Sequence, residues 1–372
     1  MSRPFLDIKT LLSPISSKNL GNKDLIFFEL GREALINGVL EMGLTQGDTI
    51  IVPAYMCGSS LIPLQDHGFN LVYIDIKEDF GVDLQVLKDL ISEHNVGAVL
   101  VVHYFGLNQD TQELVELCRT QRVKLIEDCS HSFLSNNHDL SIGRNCDMTI
   151  YSMRKTLPVY EGGALWLRKG GQEIKEREIH KLRILKTGLF LFKRFTEYLI
   201  YLIRWPNPYG ILIQRLKNFT SIKVKTVEVK KSRKPRGPIS PSWQFRKYYY
   251  NPSYLVKCKS KLLGNYKKLI KGLVKYNLQP VIFKVETNTV PQYAAIYDET
   301  ESLEGWLRKD GIGAFRWPGE DLPSEIEKSL DKFPITLKKA REIILLPIHQ
   351  SINDNHLNRI LVSIEEWYQE MH

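Results

Sequence analysis

The stretch "YSMRKTLPVYEGGAL", residues 151–165, places a lysine directly after a run of apolar residues. The run ends near Met153, Lys155 follows, and the motif Glu161-Gly162-Gly163 begins six residues after the lysine. A lysine at the mouth of a buried strand is either a surface charge or a nucleophile for a carbonyl group. Two adjacent glycines allow another group to approach the backbone closely. The rest of the sequence decides between the two interpretations of the lysine.

Strand-like and helix-like patterns alternate through the first half of the chain. The predicted strands cover residues 47–55, 70–76, 97–106, 123–130, 148–153 and 163–169, and the clearest helical patterns cover 30–44 and 83–94. Short, continuous apolar runs separated by helices are typical of a buried, mostly parallel sheet. The sequence therefore predicts an α/β fold with a mostly parallel central sheet.

The pattern changes after about residue 246. The later elements are a basic helix over 253–276, short strands near 281–298 and 343–347, and a closing helix over about 354–371. A chain of 372 residues is long enough for two domains. We expect a large α/β domain over 1–180, a basic insert or linker over 181–245, and a small α+β domain over 246–372.

The composition is that of a globular protein, with 43% hydrophobic and 25% charged residues. The five cysteines are Cys57, Cys118, Cys129, Cys146 and Cys258. Their number is odd, they show no CxxC spacing, and no signal peptide precedes them, so we interpret them as reduced thiols. This interpretation predicts a cytoplasmic protein without a disulfide framework or a structural zinc site.

The net charge of +9 is concentrated in one segment. Between Lys181 and Lys234 there are fourteen Lys or Arg and two acidic residues, so this segment carries 14 − 2 = +12 and the remainder carries 9 − 12 = −3. The high isoelectric point is therefore no general indication of nucleic-acid binding.

Within this basic segment, residues 186–219 contain no uncharged run that approaches the roughly 20 residues of a transmembrane helix. A helix from Leu185 to Arg204 has a narrow charged stripe on an apolar body. Three interpretations remain open at this stage: a helix packed on the domain or at a dimer interface, an interfacial helix on an anionic membrane, and a site that recruits an anionic substrate.

Three residues follow strands directly, namely Gly106, Asp128 and Lys155. Ligands of such sheets bind beyond the carboxyl ends of the strands, so these residues are expected at one rim. A lysine amine there is able to form a Schiff base with pyridoxal phosphate, and a carboxylate such as Asp128 is suited to hold the pyridine nitrogen protonated. His131 is expected either to hydrogen-bond the ring oxygen or to orient Asp128.

A phosphate site is predicted at the start of the first long helix. Gly31, Arg32 and Glu33 open this helix, and their backbone N–H groups together with the Arg32 guanidinium suit a phosphate group. Ser152 supplies a hydroxyl near the same place. Each of these residues alone is weak evidence, and their order and spacing are what support the assignment.

Several segments together resemble the DegT/StrS-type sugar aminotransferases, which are fold type I pyridoxal phosphate enzymes. The matching segments are "GREALINGVLEMGLTQGDTIIVPAYMCGSS", "GFNLVYIDIKEDFGVDLQVL", "AVLVVHYFG", "LIEDCSHS", "RKTLPVYEGGAL" and "ILLPIHQSIND". They cover roughly residues 25–170 and 255–370 in the order of the family. The resemblance implies a fold type I large domain and pyridoxal 5'-phosphate as the cofactor.

The resemblance also implies roles for individual residues. Lys155 takes the position of the Schiff-base lysine, Asp128 that of the pyridinium partner, and His131 that of a Gln or His near the ring hydroxyl. Gly31 and Arg32 fall on the family's phosphate-binding Gly-Ser/Thr pair, so a guanidinium replaces a hydroxyl.

Other positions depart from the family pattern. Ser152 lies three residues before the lysine, where the family serine lies five before it. Cys57 occupies the position of the aromatic residue that stacks on the cofactor, so the stacking must come from Tyr55, His103 or Tyr104, or it is lost. The segment "KPRGPISPSWQ" (234–244) stands where the family carries an asparagine loop that reaches the neighbouring subunit.

These features predict a pyridoxal phosphate-dependent aminotransferase. The resemblance implies a small-molecule keto sugar, typically linked to a nucleotide, as acceptor, glutamate as amino donor, a role in polysaccharide biosynthesis, and a homodimer. Two alternatives stay open: a dehydratase or eliminase with the same cofactor, and a non-catalytic scaffold acting through residues 181–234. Trp317 and His349 are expected to be structural.

Overall fold

The structure is a computed structural model, and it describes residues 4–13, 24–135, 145–168, 185, 187–195, 235–282, 285, 289–329 and 331–371. Among these residues a large sheet of seven strands and a small sheet of three strands form the framework. Hydrophobic cores lie on both faces of the large sheet, and a separate core surrounds the small sheet.

The large sheet has the strand order β1-β7-β6-β5-β4-β2-β3. Its strands are β1 (Ile26–Phe28), β2 (Thr49–Pro53), β3 (Asn70–Ile74), β4 (Val96–Val102), β5 (Lys124–Asp128), β6 (Met148–Ser152) and β7 (Gly163–Leu167). The pairs β3-β2, β2-β4, β4-β5 and β5-β6 are parallel, whereas β7 runs antiparallel to both β6 and β1. Strands β2, β5 and β6 are almost entirely buried, which explains their continuous apolar sequences.

Helices connect these strands. They are α1 (Ile8–Leu12), α2 (Gly31–Glu41), α3 (Gly58–Asp66), α4 (Leu84–Glu93) and α5 (Gln112–Gln121). The Asp83 side chain accepts hydrogen bonds from two N–H groups in the first turn of α4, so this helix begins with an ordinary cap. In contrast, α2 follows Leu30 and begins without a side-chain cap.

The C-terminal half contains the small antiparallel sheet and the remaining helices. Its strands are β8 (Ala294–Tyr297), β9 (Phe315–Arg316) and β10 (Ile343–Leu346), in the order β8-β10-β9. Its helices are α6 (Trp243–Tyr249), α7 (Pro252–Leu273), α8 (Leu303–Lys309), α9 (Ser324–Glu327), α10 (Pro334–Glu342) and α11 (Asp354–Met371). Single 3-10 turns cover Tyr104–Gly106, Met153–Lys155, Val274–Tyr276 and Gly319–Asp321.

A buried lysine joins the two halves. Lys339 on α10 is 0% exposed, and its amine donates to the carbonyl and the carboxylate of Glu78, each at 2.9 Å. The amine also lies 4.4 Å from the centre of the Phe80 ring. Asp75, just beyond β3, accepts from the N–H groups of the first turn of α10 and from the Thr336 hydroxyl. The start of α10 is therefore tied to the large sheet.

The structure confirms the α/β class, the mostly parallel sheet and each predicted strand and helix named above for the described residues. The proposed division at residues 180 and 245 stays a prediction. Residues 169–184, 186 and 196–234 lie outside the described residues, so most of the expected insert and most of the helix from Leu185 to Arg204 do too. Within the described part of the chain, no helix has both the length and the hydropathy needed to cross a membrane.

Gly163 allows β7 to lie against the start of α2. A Cβ atom at this position would lie 2.2 Å from the Leu30 carbonyl oxygen and 2.8 Å from the Gly31 nitrogen. The Gly162 position is similar, since a Cβ there would lie 2.8 Å from the Arg154 nitrogen. The two glycines thus allow segments of the chain's own backbone to pack closely together. They are not needed here for the close approach of a cofactor.

We expect Gly163→Ala to lower the free energy of unfolding by about 1–3 kcal/mol, because backbone atoms must move to admit the methyl group. The matched control is Gly264→Ala in α7, where a Cβ meets no atom within 4 Å. That substitution is expected to raise stability by up to about 1 kcal/mol through helix propensity. Denaturant unfolding followed by circular dichroism measures both, and equal stabilities of the two variants would contradict the assignment.

Candidate active site

The parallel strands bring the predicted residues to one rim. Asp128, the last residue of β5, is paired with Val102, the last residue of β4, and with Ile150, after which β6 continues to Ser152. The 3-10 turn Met153–Lys155 follows β6 directly. The Lys155 side chain consequently lies over the carboxyl end of β5, as the sequence predicted.

Lys155 contacts His131 directly. The distance from Lys155 Nζ to His131 Nε2 is 3.0 Å. The imidazole is buried and packs between two aromatic rings: it stacks on Phe105 at 5.7 Å between ring centres and meets Trp317 edge-on at 5.1 Å. The structure therefore brings two of the predicted site residues together.

His131 is a buried, neutral imidazole with a partner on each ring nitrogen. Burial, and secondly the nearby Lys155 charge, hold the pKa of His131 well below its usual range, so the ring is neutral. Its Nδ1 accepts from the Phe105 backbone N–H at 3.4 Å, and its Nε2 faces the Lys155 amine at 3.0 Å.

Asp128 ends β5 on the same side as Lys155. Its carboxylate oxygen Oδ1 accepts from the Ser130 N–H at 2.8 Å, which fixes the side chain over the turn that leads to His131. Burial, and to a smaller extent the Asp128 charge, raises the pKa of both the Cys57 thiol and the Tyr104 hydroxyl. Asp128 is thus a buried acid at the end of β5, three residues before His131.

A small cradle lies at the uncapped start of α2. A Cβ built on Gly31 would lie 3.4 Å from Ser152 Cβ and 3.7 Å from Ser130 Oγ. The absence of a side chain at Gly31 therefore leaves a space bordered by two serines. Helix N–H groups and hydroxyls are the donors that proteins use to bind phosphate.

The other two predicted phosphate residues point elsewhere. The Arg32 guanidinium donates to the Ser59 carbonyl at 3.4 Å, at the start of α3. The Glu33 carboxylate accepts from the Arg236 backbone N–H at 3.0 Å. The structure therefore brings Gly31 and Ser152 together, whereas the side chains of Arg32 and Glu33 are directed at other segments.

The predicted stacking residues Tyr55 and Tyr104 are fully buried. The Tyr55 hydroxyl donates to the Trp317 carbonyl at 2.7 Å, and the Tyr104 hydroxyl donates to the Tyr55 carbonyl at 2.8 Å. Their rings also pack on each other and on Phe80, with ring centres 5.4–6.1 Å apart. They support the floor of the site as an aromatic cluster. Trp317 belongs to the same cluster and also contacts His131, so it lies nearer the site than the sequence indicated.

Cys57 is partly exposed and lies beside the lysine. Burial raises the pKa of its thiol to about 12, the Lys155 charge opposes this, and the Asp321 carboxylate, to which the thiol is hydrogen-bonded, adds to it. Asp321 also accepts from the N–H and the hydroxyl of Ser59, at 3.0 and 2.6 Å. The thiol is thus held in its neutral form at one wall of the site.

His103 is directed to the opposite side of β5 from Asp128. Its Nε2 lies 3.1 Å from the buried Glu127 carboxylate, and its Nδ1 accepts from the Gln109 N–H at 3.0 Å. Neighbouring residues of a strand face opposite sides of the sheet, so Glu127 and Asp128 separate these two environments. The side chains of His103, Glu127 and Cys129 offer possible metal-ligand atoms within 4.8 Å of one another. The hydrogen bonds of His103 to Glu127 and Gln109 already explain why His103 and Glu127 lie together.

Comparisons with known proteins agree with this geometry. Residues 17–187 match the model of the DegT/DnrJ/EryC1/StrS aminotransferase family. We call residues 17–187 the DegT-family segment, because they match this model. The DegT-family segment contains Gly31, Asp128, His131 and Lys155, and proteins of this family use pyridoxal phosphate.

Two curated relatives act on nucleotide sugars according to their names. The GDP-perosamine synthase of Vibrio cholerae is 24% identical over 312 residues, which cover 80% of this chain and 82% of that protein. The GDP-perosamine synthase of Escherichia coli O157:H7 is 27% identical over 136 residues. That second match covers 36% of this chain and 37% of the relative.

A solved structure extends the likeness to the whole fold. The putative sugar aminotransferase Spr1654 from Streptococcus pneumoniae, in its PMP form, superposes with a TM-score of 0.69. It is 15% identical in sequence, and the alignment covers 100% of this chain and 98% of the other. The fold is therefore that of the fold type I enzymes, as predicted.

Some residues of the site are absent from the sequence-based assignment. Ser130 lies between Asp128 and His131. Its position just after the end of a strand could have identified it as a site residue. Asp321 and Gln292 come from the C-terminal half, far from the lysine in sequence, and no local pattern marks them. His349 is buried, as expected for a structural residue.

We expect Cys57 to react slowly with iodoacetamide at pH 8, because a thiol with a pKa of about 12 is ionised in only about one molecule in ten thousand. The rate should rise steadily with pH up to pH 10, whereas an ordinary free thiol such as glutathione approaches a plateau. Asp321→Asn removes a negative charge and should accelerate alkylation at pH 8. Mass spectrometry of the Cys57 peptide measures the rates, and a plateau below pH 9 in the unsubstituted protein would contradict the assignment.

Proposed function

We propose that this protein is a pyridoxal phosphate-dependent aminotransferase that moves an amino group from an amino acid to a keto sugar. The observation that carries the proposal is the 3.0 Å contact between Lys155 and His131 beside Asp128 and the Gly31 cradle. The match of residues 17–187 to the model of an aminotransferase family supports it.

The residues present fit the cofactor. The start of α2, with the hydroxyls of Ser130 and Ser152, would hold the phosphate, and Asp128 would face the pyridine nitrogen. Pyridoxal phosphate, when bound, supplies an aldehyde for the lysine and a ring that accepts electrons from the substrate carbon.

The chain's own residues perform the remaining tasks. The neutral His131 directs the Lys155 amine, which takes and returns a proton at the substrate carbon. The Asp128 carboxylate stabilises the proton on the pyridine nitrogen. The buried aromatic cluster below His131 excludes water from that side of the lysine.

We propose a nucleotide-linked keto sugar as acceptor, because the names of several relatives contain a nucleotide sugar. Besides the GDP-perosamine synthases, these are a UDP-4-amino-4,6-dideoxy-N-acetyl-beta-L-altrosamine transaminase and a dTDP-4-amino-4,6-dideoxy-D-glucose transaminase. Glutamate is the proposed amino donor, and amino-sugar or polysaccharide biosynthesis in the cytoplasm is the proposed setting. Lys155 argues against the alternative of a sugar dehydratase, since the family variant of that kind carries His at this position. The other alternative is a scaffold that has lost catalysis. The presence of Lys155, His131 and Asp128 in one site argues against it.

The visible spectrum tests the proposed function. Purified protein mixed with pyridoxal phosphate should turn yellow, and borohydride should bleach the band and fix the cofactor on the Lys155 peptide. Lys155→Ala should show neither effect, whereas Lys124→Ala, at the other end of β5, should behave like the unsubstituted protein. Adding glutamate should discharge the band. A colourless protein with no modified peptide would refute the proposal.

Residues 187–195, inside the predicted 186–219 region, are helical in the structure. We further propose that this short helix gives the enzyme peripheral contact with an anionic membrane. Its side chains Leu189, Phe192 and Phe195 are 60%, 67% and 44% exposed, an apolar surface at helical spacing. The +12 charge of the surrounding sequence complements anionic lipids. We also propose a homodimer, for which the same apolar surface is the competing use.

Flotation with vesicles tests the membrane contact. We expect binding to vesicles that contain phosphatidylserine and at least a tenfold loss of binding in the Phe192→Ser, Phe195→Ser double variant. Val274→Ser is the control, because Val274 is 70% exposed and lies outside this surface. Sedimentation velocity distinguishes membrane contact from dimer formation. If the unsubstituted protein does not bind vesicles and the double variant becomes monomeric, the surface belongs to the dimer interface.

A further inference from the structure

The main chain at Lys155 is held by a side chain from the C-terminal half. Gln292 Nε2 donates to the Lys155 carbonyl at 3.0 Å, and Gln292 Oε1 accepts from the Thr156 hydroxyl at 2.7 Å. Both Gln292 and Thr156 are buried, at 4% and 1% exposure. The Gln292 amide therefore hydrogen-bonds both Lys155 and Thr156, through its nitrogen and its oxygen respectively.

The backbone of Gln292 holds the opposite wall of the site. Its N–H donates to the Phe105 carbonyl at 2.8 Å. Phe105 stacks on His131 and donates its own N–H to His131 Nδ1. Phe105 has φ +54°, a left-handed conformation that a bulky residue adopts only when its surroundings impose it.

Neighbouring contacts keep Gln292 in place. A Cβ on Gly106 would lie 2.2 Å from the Val290 carbonyl oxygen, so the chain before Gln292 packs directly on the Phe105 turn. On the other side, Gln350 Nε2 donates to the Thr156 carbonyl at 3.0 Å and to the Tyr254 hydroxyl at 3.1 Å. Gln292 is thus the residue that contacts both segments carrying the Lys155–His131 pair.

We propose that Gln292 is a positioning residue that sets the Lys155 amine against His131. A lysine side chain has four rotatable carbon–carbon bonds, so its amine stays near one partner only if its main chain is fixed. The side chain of Gln292 fixes the lysine main chain, and its backbone fixes the partner of the histidine. The inference rests on the proposed function for its biological meaning, but its geometry is independent of the cofactor.

The test compares the reactivity of Lys155 in protein to which no cofactor has been added. Trace acetylation with acetic anhydride at pH 8, followed by mass spectrometry, gives the rate at Lys155 relative to the exposed Lys267. Gln292→Leu removes both side-chain hydrogen bonds and is expected to lower this ratio roughly tenfold. Gln292→Glu keeps an acceptor for Thr156 but cannot donate to the Lys155 carbonyl, so it should show the same loss.

Two controls separate positioning from folding. Thr156→Val removes only the bond to Gln292 Oε1 and should have the smaller effect. Asn265→Leu deletes another buried amide, which donates to the Ile348 and Ile352 carbonyls away from the lysine. That variant should lose thermal stability while its Lys155 ratio stays normal.

The outcomes are distinct. A Lys155 ratio in Gln292→Leu and Gln292→Glu equal to that of the unsubstituted protein would overturn the inference. An equal fall in Asn265→Leu would also overturn it, because the effect would then follow stability alone. Uptake of pyridoxal phosphate is scored separately: its absence in the unsubstituted protein refutes the proposed function, while the acetylation ratios still decide the role of Gln292.

Discussion

The register of β4, β5 and β6 is the constraint on which the site depends. The pairing of Val102, Asp128 and Ile150 ends β4 and β5 at the same height and lets β6 continue to Ser152, so the turn that carries Lys155 follows beyond the end of β5. Side chains alternate across β5, so Asp128 lies on the opposite face from Glu127, which pairs with His103. A slip of one residue in this register would exchange the faces of the two carboxylates. The chemistry of the rim is therefore inseparable from the hydrogen bonding of the sheet.

Much of this framework was predictable from the sequence because it arises from local patterns. Continuous apolar runs define the parallel strands, and the residue after a strand end lies at the rim whatever the rest of the fold does. Lys155 and Asp128 were identified in this way. The orientation of a side chain after the strand was less accessible, and for that reason His103 was assigned to the site although its ring pairs with Glu127.

The unpredicted part of the site consists of contacts between distant segments. Gln292 meets Lys155 across 137 positions, and Asp321 meets Ser59 across 262. No spacing rule relates such residues, because the packing of the C-terminal half on the large sheet brings them together. The space at Gly163 shows the same limit: two adjacent glycines indicated a close approach, but the sequence did not show that the approaching group is the Leu30 carbonyl.

The buried Lys339 has a consequence for how substrates reach the rim. Moving α10 away from the large sheet would break the bonds of the Lys339 amine to the Glu78 carbonyl and carboxylate. The three hydrogen bonds to Asp75 at the same junction oppose that movement further. Opening a hinge along this seam would break the two bonds of Lys339 and the three of Asp75 together, so we expect a substrate to reach the rim without separation of the two halves.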